Sequence, residues 1–105
     1  MKTEASSPLI SIVVVNYNRA ELLRECLLSL AAQSYSFLEI LVVDNGSSDP
    51  SLEVVRSFSD ERVRLLSLDH NLGFAGGCNA AIREARGEFV ALINNDAVAT
   101  QEWIE

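Results

Sequence analysis

The sequence predicts an α/β fold, a doubly wound, mostly parallel sheet with helices on both faces. Three observations carry that prediction. Its apolar runs are β-branched and nearly continuous instead of alternating, as in strands covered on both sides. Between them lie segments whose apolar residues recur at spacings of three and four. Short polar residues crowd the far ends of the runs. Strands and helices that alternate in this way form units whose crossovers lay helices over a parallel sheet.

The first run, LISIVVVN from Leu9 to Asn16, follows Pro8 and reads as a strand. Asn18 is placed to cap a helix whose buried stripe is Leu22, Leu23, Cys26, Leu27 and Leu30. EILVVD, Glu39 to Asp44, is the second strand. It stops in the turn formers DNGSSDP, with Asp49 as the cap and Pro50 as the first residue of a second helix. That helix presents Leu52, Val55 and Phe58, and VRLLSL, Val63 to Leu68, follows as strand three. The third helix is expected to begin near Gly76 or Gly77, to bury Cys78, Ala81, Ile82 and Ala85, and to end at Gly87. FVALI, Phe89 to Ile93, is strand four. TQEWIE reads as a helix start, with Thr100 as cap and Trp103 and Ile104 turned inward. A helix of under two turns makes a poor terminus, so the reading is of a truncated piece of a longer chain.

With 105 residues the chain holds one domain. Residues 1–8 read as a flexible leader and 9–105 as the folded part. At 49% hydrophobic and 22% charged, the composition is that of a globular protein. No apolar run approaches the ~20 residues of a membrane span, and MKTEASSP lacks the apolar middle of a secretion signal. Cys26 and Cys78 stand in neither metal nor redox spacing and read as small buried residues of a reduced, cytoplasmic protein. The net charge of −7 argues against nucleic acid as a partner. An anionic ligand would need helix N-termini, backbone N–H groups or a divalent cation to offset that sign.

Ligands of open parallel sheets bind beyond the carboxyl ends of the strands. There this chain places NYNR (16–19), DNGSSD (44–49), DHNLGFAGG (69–77) and NND (94–96). The loop after strand one holds no glycine, which excludes both the G-x-G-x-x-G dinucleotide mode and a P-loop. Gly73, Gly76 and Gly77 instead precede the third helix, where close backbone approach and a helix N-terminus suit an anion. Asn94, Asn95 and Asp96 offer hard oxygens to Mg²⁺ or Mn²⁺. Three polar groups in an apolar run read as a buried carboxylate awaiting a cation and phosphates. A receiver-like signalling domain is disfavoured, since NYN stands where paired acids are needed and no lysine lies late in the chain.

In order and spacing, SIVVVNYNR, LEILVVDNGSSD and HNLGFAGGCNAAIREARGEFVALINNDA resemble the family 2 inverting glycosyltransferases of the GT-A fold, from Leu9 onward. The Asn-Asn-Asp version of the metal motif is similar to that of the rhamnosyltransferase-like branch. The resemblance implies a nucleotide-sugar donor, a UDP- or dTDP-sugar, and the activity of a hexosyl transferase in cell-wall or polysaccharide biosynthesis. Asn16, Tyr17 and Asn18 would line the base pocket, and Asp44 would accept from the base or a nearby hydroxyl. Asn71, Gly73, Phe74, Gly76, Gly77 and Asn79 would shape the pocket near the ribose and sugar, with Asn94 and Asn95 beside them. Asp96 would be the single carboxylate on the metal. A saccharide or lipid-linked acceptor is implied, with peripheral association at the inner face of the membrane. The catalytic base would lie beyond residue 105, so the fragment alone would be inactive. The alternative is a nucleotide-binding or regulatory module without catalysis.

Overall fold

Seven elements follow in the expected alternation: β1 (Ile10–Asn16), α1 (Ala20–Ala31), β2 (Leu38–Asp44), α2 (Ser51–Arg56), β3 (Val63–Ser67), α3 (Gly73–Glu84) and β4 (Phe89–Asn94). The computed structural model describes residues 7–104, so of the leader expected over 1–8 only Ser7 and Pro8 are within view. The strands form one sheet in the order β3-β2-β1-β4, every pair parallel. The chain therefore builds outward from β1 to β3 and then crosses back to β4, which puts the reversal of strand order between β1 and β4.

Both faces of the central strands are apolar, as continuous β-branched runs require. Ile12, Val14, Ile40 and Val42 point to one side and pack with Leu23, Cys26, Leu27 and Leu30 of α1 and Val54 and Val55 of α2. Val13, Leu41 and Val43 point to the other and are covered by Ala81 of α3 and by Ala85 just past its end. The expected doubly wound arrangement holds. Leu27 is wholly buried, and truncation of such a leucine to alanine costs roughly 2–5 kcal/mol. Among the described residues no helix is long and apolar enough to cross a membrane.

Several local expectations are corrected. Asn18 does not cap α1: it has φ of 51°, and its side-chain oxygen accepts from the N–H groups of Ser48 and Asp49. Asp49 supplies α1's cap from a different loop, accepting from Ala20 N–H at 3.1 Å while its other oxygen accepts from Ser51 N–H at 3.0 Å. In α1, Leu22 lies outside the buried stripe, and in α2 Val54 is buried where Leu52 was expected. α3 begins at Gly73, three residues early, because Asn71 accepts from Gly73 N–H and holds the first turn. Ile82 is exposed, not part of its buried stripe. Gly87 does not end that helix, which stops at Glu84. A Cβ on Gly87 would stand 2.6 Å from Ser11 N, so this glycine lets the α3–β4 turn lie against β1.

No helix forms after Thr100; only a turn closes from Trp103 N–H to the Thr100 carbonyl. The backbone there is spent on the end of α1 instead. Gln33 donates to the Thr100 carbonyl and accepts from Ile104 N–H, and Ser34 N–H reaches the Gln101 carbonyl. Ile104 packs on the core, whereas Trp103 stays 38% exposed.

Candidate functional site

The carboxyl ends of β1, β2 and β4 are joined by side chains. Asn16, fully buried, donates to Asp44 Oδ1 at 3.1 Å and accepts from Asn95 Nδ2 at 2.8 Å. Asp44, 1% exposed, also accepts from the Ser47 hydroxyl at 2.6 Å and from Ser47 N–H at 2.8 Å. The carboxylate is thus satisfied by three donors, as a buried charge must be. The ladder continues past the strands, with Asn45 N–H bonded to the Asn16 carbonyl and Leu68 N–H to the Asp44 carbonyl. This gives a rigid floor at the strand ends.

The loop after β1 and the loop after β2 are fastened to each other above that floor. Ser47 Oγ accepts from Asn18 N–H, Asn18 Oδ1 takes the N–H groups of Ser48 and Asp49, and Asp49 caps α1. Burial opposes ionisation of Asp49, but the Ser51 hydroxyl and the N–H groups of Ser51 and Ala20 hold its carboxyl below the usual aspartate value. Tyr17, between these fastened residues, keeps its ring 47% exposed.

On the other side of the sheet, Asn45 was not anticipated by sequence reasoning. It is 3% exposed, accepts from Leu72 N–H and donates to the Gly73 carbonyl, and so fixes the start of α3 over the end of β2. Gly77 is buried against Val15 and Asn45, with no room for a Cβ, and Gly76 is pressed on Leu72. These two glycines serve packing. Gly73 differs: φ is +79° and nothing would lie within 4 Å of a Cβ, so its surroundings are open. Phe74 beside it is 57% exposed, and Asn71 and Asn79 are exposed as well. The first-turn N–H groups of α3 have no partner within the helix, which favours an anion there.

The NND turn is not buried. Asn94 and Asp96 are exposed and Asn95 is half-buried, which corrects the expectation of a carboxylate enclosed by the fold. Asn94 lies in register with Val15 and so faces the α3 side. Its carbonyl accepts from the Cys26 thiol at 3.7 Å and from Ala97 N–H at 3.0 Å. Burial, with Asp96 nearby, pushes that thiol up to about 11. The predicted side chains brought into direct bonding with one another are thus Asn16, Asp44 and Asn95, with Asn18 tied instead to the backbone of the β2 loop, whereas Asn71, Phe74 and Asn79 stand apart around the first part of α3.

Among the described residues no three His, Cys, Asp or Glu groups gather as a metal site. One exposed carboxylate at the end of a strand, preceded in the chain by two asparagines, offers the hard-oxygen chemistry that suits Mg²⁺ or Mn²⁺. Such ions keep several waters and are held by one or two carboxylates together with substrate phosphates.

The family described as Glycosyl transferase family 2 matches residues 11–105. The chain is 36% identical over 96 residues to the UDP-Glc:alpha-D-GlcNAc-diphosphoundecaprenol beta-1,3-glucosyltransferase WfgD of Escherichia coli, covering 91% of this chain and 36% of that protein. The fold is similar to that of the mannosyltransferase PcManGT from Pyrobaculum calidifontis, solved in complex with GDP-Man and Mn²⁺. The TM-score is 0.81 at 33% identity over 87% of this chain and 28% of that one. TarS of S. aureus in complex with UDP-GlcNAc gives a TM-score of 0.85 at 30% identity over 90% of this chain and 28% of that one. The chain spans about a third of the length of the curated relatives it matches.

Proposed function

This chain belongs to glycosyl transferase family 2, and from that premise we propose that it forms the donor-binding part of an enzyme that moves a sugar from a nucleotide diphosphate to an acceptor hydroxyl. The observation that carries the reading is the placement of Asp96. It follows Asn95, which is bonded to Asn16, and Asn16 is bonded to Asp44, so a carboxylate without a hydrogen-bond donor among the described residues stands beside a hydrogen-bonded polar floor.

The donor's base and ribose lie across the ends of β1 and β2, over Asn16 and Asp44, with the exposed ring of Tyr17 and the backbone around Asn18 beside them. The diphosphate lies between the start of α3, at Gly73 and Phe74, and the NND turn. Asp96 would hold the cation, with the side-chain oxygens of Asn94 and Asn95 available nearby. A bound Mg²⁺ or Mn²⁺ would offset the charge that grows on the leaving diphosphate. The acceptor hydroxyl attacks the anomeric carbon from the face opposite the diphosphate, which inverts that centre, and a carboxylate elsewhere in the enzyme takes its proton. No carboxylate of this chain is assigned that task. A UDP- or dTDP-sugar as donor and a lipid-linked or saccharide acceptor at a membrane surface are the specific partners proposed. The UDP-GlcNAc bound in the similar TarS structure supports a UDP-sugar donor, and the diphosphoundecaprenol in the name of the E. coli relative supports a lipid-linked acceptor.

Calorimetric titration of the chain with UDP, dTDP and GDP, each with and without Mn²⁺, tests the reading. Metal-dependent binding that disappears in Asp96→Ala is expected. Equal binding by Asp96→Ala would overturn the metal assignment, and uptake without catalysis in the complete protein would favour a nucleotide-sensing module.

A further inference from the structure

At the amino ends of the strands, opposite the candidate site, the α3 face of the sheet turns polar. α3 has ended at Glu84, and in place of valine and leucine stand Ser11 on β1 and Glu39 on β2, paired in register and both buried. Glu39 Oε2 accepts from the Ser11 hydroxyl at 2.5 Å and from Arg86 N–H at 2.6 Å, while Oε1 pairs with Arg64 at 2.8 Å. Ser11 Oγ in turn accepts from Gly87 N–H at 2.9 Å, and Glu88 N–H reaches the Leu9 carbonyl at 2.8 Å. Three of these bonds, from the N–H groups of Arg86, Gly87 and Glu88, dock the turn that leads into β4, and the other two hold Glu39 and Ser11 in place to receive them.

β4 needs such docking more than the other strands do. Among the described residues it pairs with β1 alone, and Phe89, Val90 and Leu92 are 60%, 41% and 48% exposed, so that Ile93 is the β4 side chain packed against the described core. A strand with so little buried pattern has a weakly specified register, and a slip that keeps its faces moves it by two residues, about 7 Å. Such a slip would part Asn95 from Asn16 and carry Asp96 away from the end of β1.

We infer that Glu39 is a positioning residue that, with Ser11, sets the register of β4 from the far end of the sheet and so places Asn95 and Asp96 at the candidate site. Glu39 and Asp44 lie five positions apart on β2, about 16 Å of strand. The carboxylate is the group suited to this. A glutamine that kept its oxygen on Ser11 and Arg86 would turn its amide N–H groups toward Arg64, donor against donor. The inference rests on the donor-site reading for its consequence and on the hydrogen bonds alone for the register.

The test compares Glu39→Gln and Ser11→Ala with Val54→Ala, which loosens the core on the opposite face. Amide hydrogen exchange is followed along β4 and at Ala97, and UDP is titrated in Mn²⁺. In Glu39→Gln and Ser11→Ala, exchange along β4 should rise about tenfold more than along β2, and UDP affinity should fall by a similar factor, the scale of coupling through a packed network. Val54→Ala should lower the unfolding midpoint without singling out β4. Exchange along β4 that rises only in step with β2 overturns the inference, as does raised exchange with UDP affinity unchanged. Should Glu39→Gln fail to fold, Ser11→Ala carries the comparison. If the unaltered chain takes up no UDP, the donor reading falls and exchange alone decides whether Glu39 sets the register.

Discussion

Asn95 donates from Nδ2 to Oδ1 of Asn16 at 2.8 Å, a bond between residues 79 apart in sequence that closes the reversal point of the sheet. The same Asn16 donates to Asp44, so one amide links three strand ends. In open α/β sheets that reversal point is where ligands bind.

Replacing Asn16 tests that link. Asn16→Ala leaves the buried Asp44 and the half-buried Asn95 each short of a partner, a loss of roughly 1–3 kcal/mol measured by urea denaturation. Asn16→Asp should be worse at neutral pH and recover as the pH is lowered, because two carboxylates near 3 Å cannot both stay ionised in a buried setting. Denaturation midpoints at pH 5 and pH 8 decide it, and equal midpoints would refute the contact.

Asp49 serves two helices, so its loss should exceed that of an ordinary cap. Asp49→Ala is expected to cost about 2 kcal/mol, the upper part of the range for N-cap replacement. Asp49→Asn, which keeps an acceptor, should restore part of it. Helix content by circular dichroism should fall little, since both helices are held by packing.

Asp96→Ala should leave the unfolding free energy within about 0.5 kcal/mol of the parent, as for other exposed positions. UDP uptake in Mn²⁺ should nevertheless be lost. A large fall in stability would mean that Asp96 has a structural task.

Acid should loosen the amino end of the sheet. Burial raises the pKa of Glu39, but hydrogen bonds from Arg86 N–H, Ser11 and Arg64 and the Arg64 charge outweigh it and leave the carboxyl below its ordinary value of 4.5. A carboxylate depressed in the folded state contributes stability that is full above the unfolded value and lost as pH falls through the folded one. Denaturation midpoints should therefore drop below pH 4.5, and less so in Glu39→Gln.

Both cysteines should resist alkylation in the folded chain. Burial, aided by Asp96, puts Cys26 at about 11, and burial also raises Cys78. At pH 8 the Cys26 thiolate is then about one part in a thousand. Iodoacetamide should label both residues in urea and neither in buffer; labelling of Cys26 in buffer would contradict its burial.

Much of this was legible from residue order. Four β-rich runs and three segments of helical spacing became four strands and three helices, because burial on both faces demands continuous apolar runs and burial on one demands the spacing of three and four. The polar residues at strand ends were legible too, as the parallel topology puts them all on one edge. Asn45 and Ser47 were read only as turn formers and Asp49 only as the cap of the second helix, although their side chains fasten loops that lie 27 to 31 residues apart in the chain. Nothing local announces such a partner. The helix expected after Thr100 failed for the same reason: Gln33, Ser34 and Ser29 of the α1 end take that segment's backbone groups.

By itself the sequence determined the fold class, the order of elements and the family, for these follow from periodicity and from motifs that each occupy a few consecutive residues. Only the tertiary structure decided that Asp44 is buried and saturated while Asp96 is exposed, that Asn18 braces a loop instead of capping a helix, and that β4 is docked through Ser11 and Glu39. The contacts of Asn16 with Asp44, of Asn18 with the loop after β2 and of Ser11 with Glu39 each depend on which distant donor arrives beside an acceptor. Chain folding brings these pairs together across 28 or more residues, and no local pattern records it.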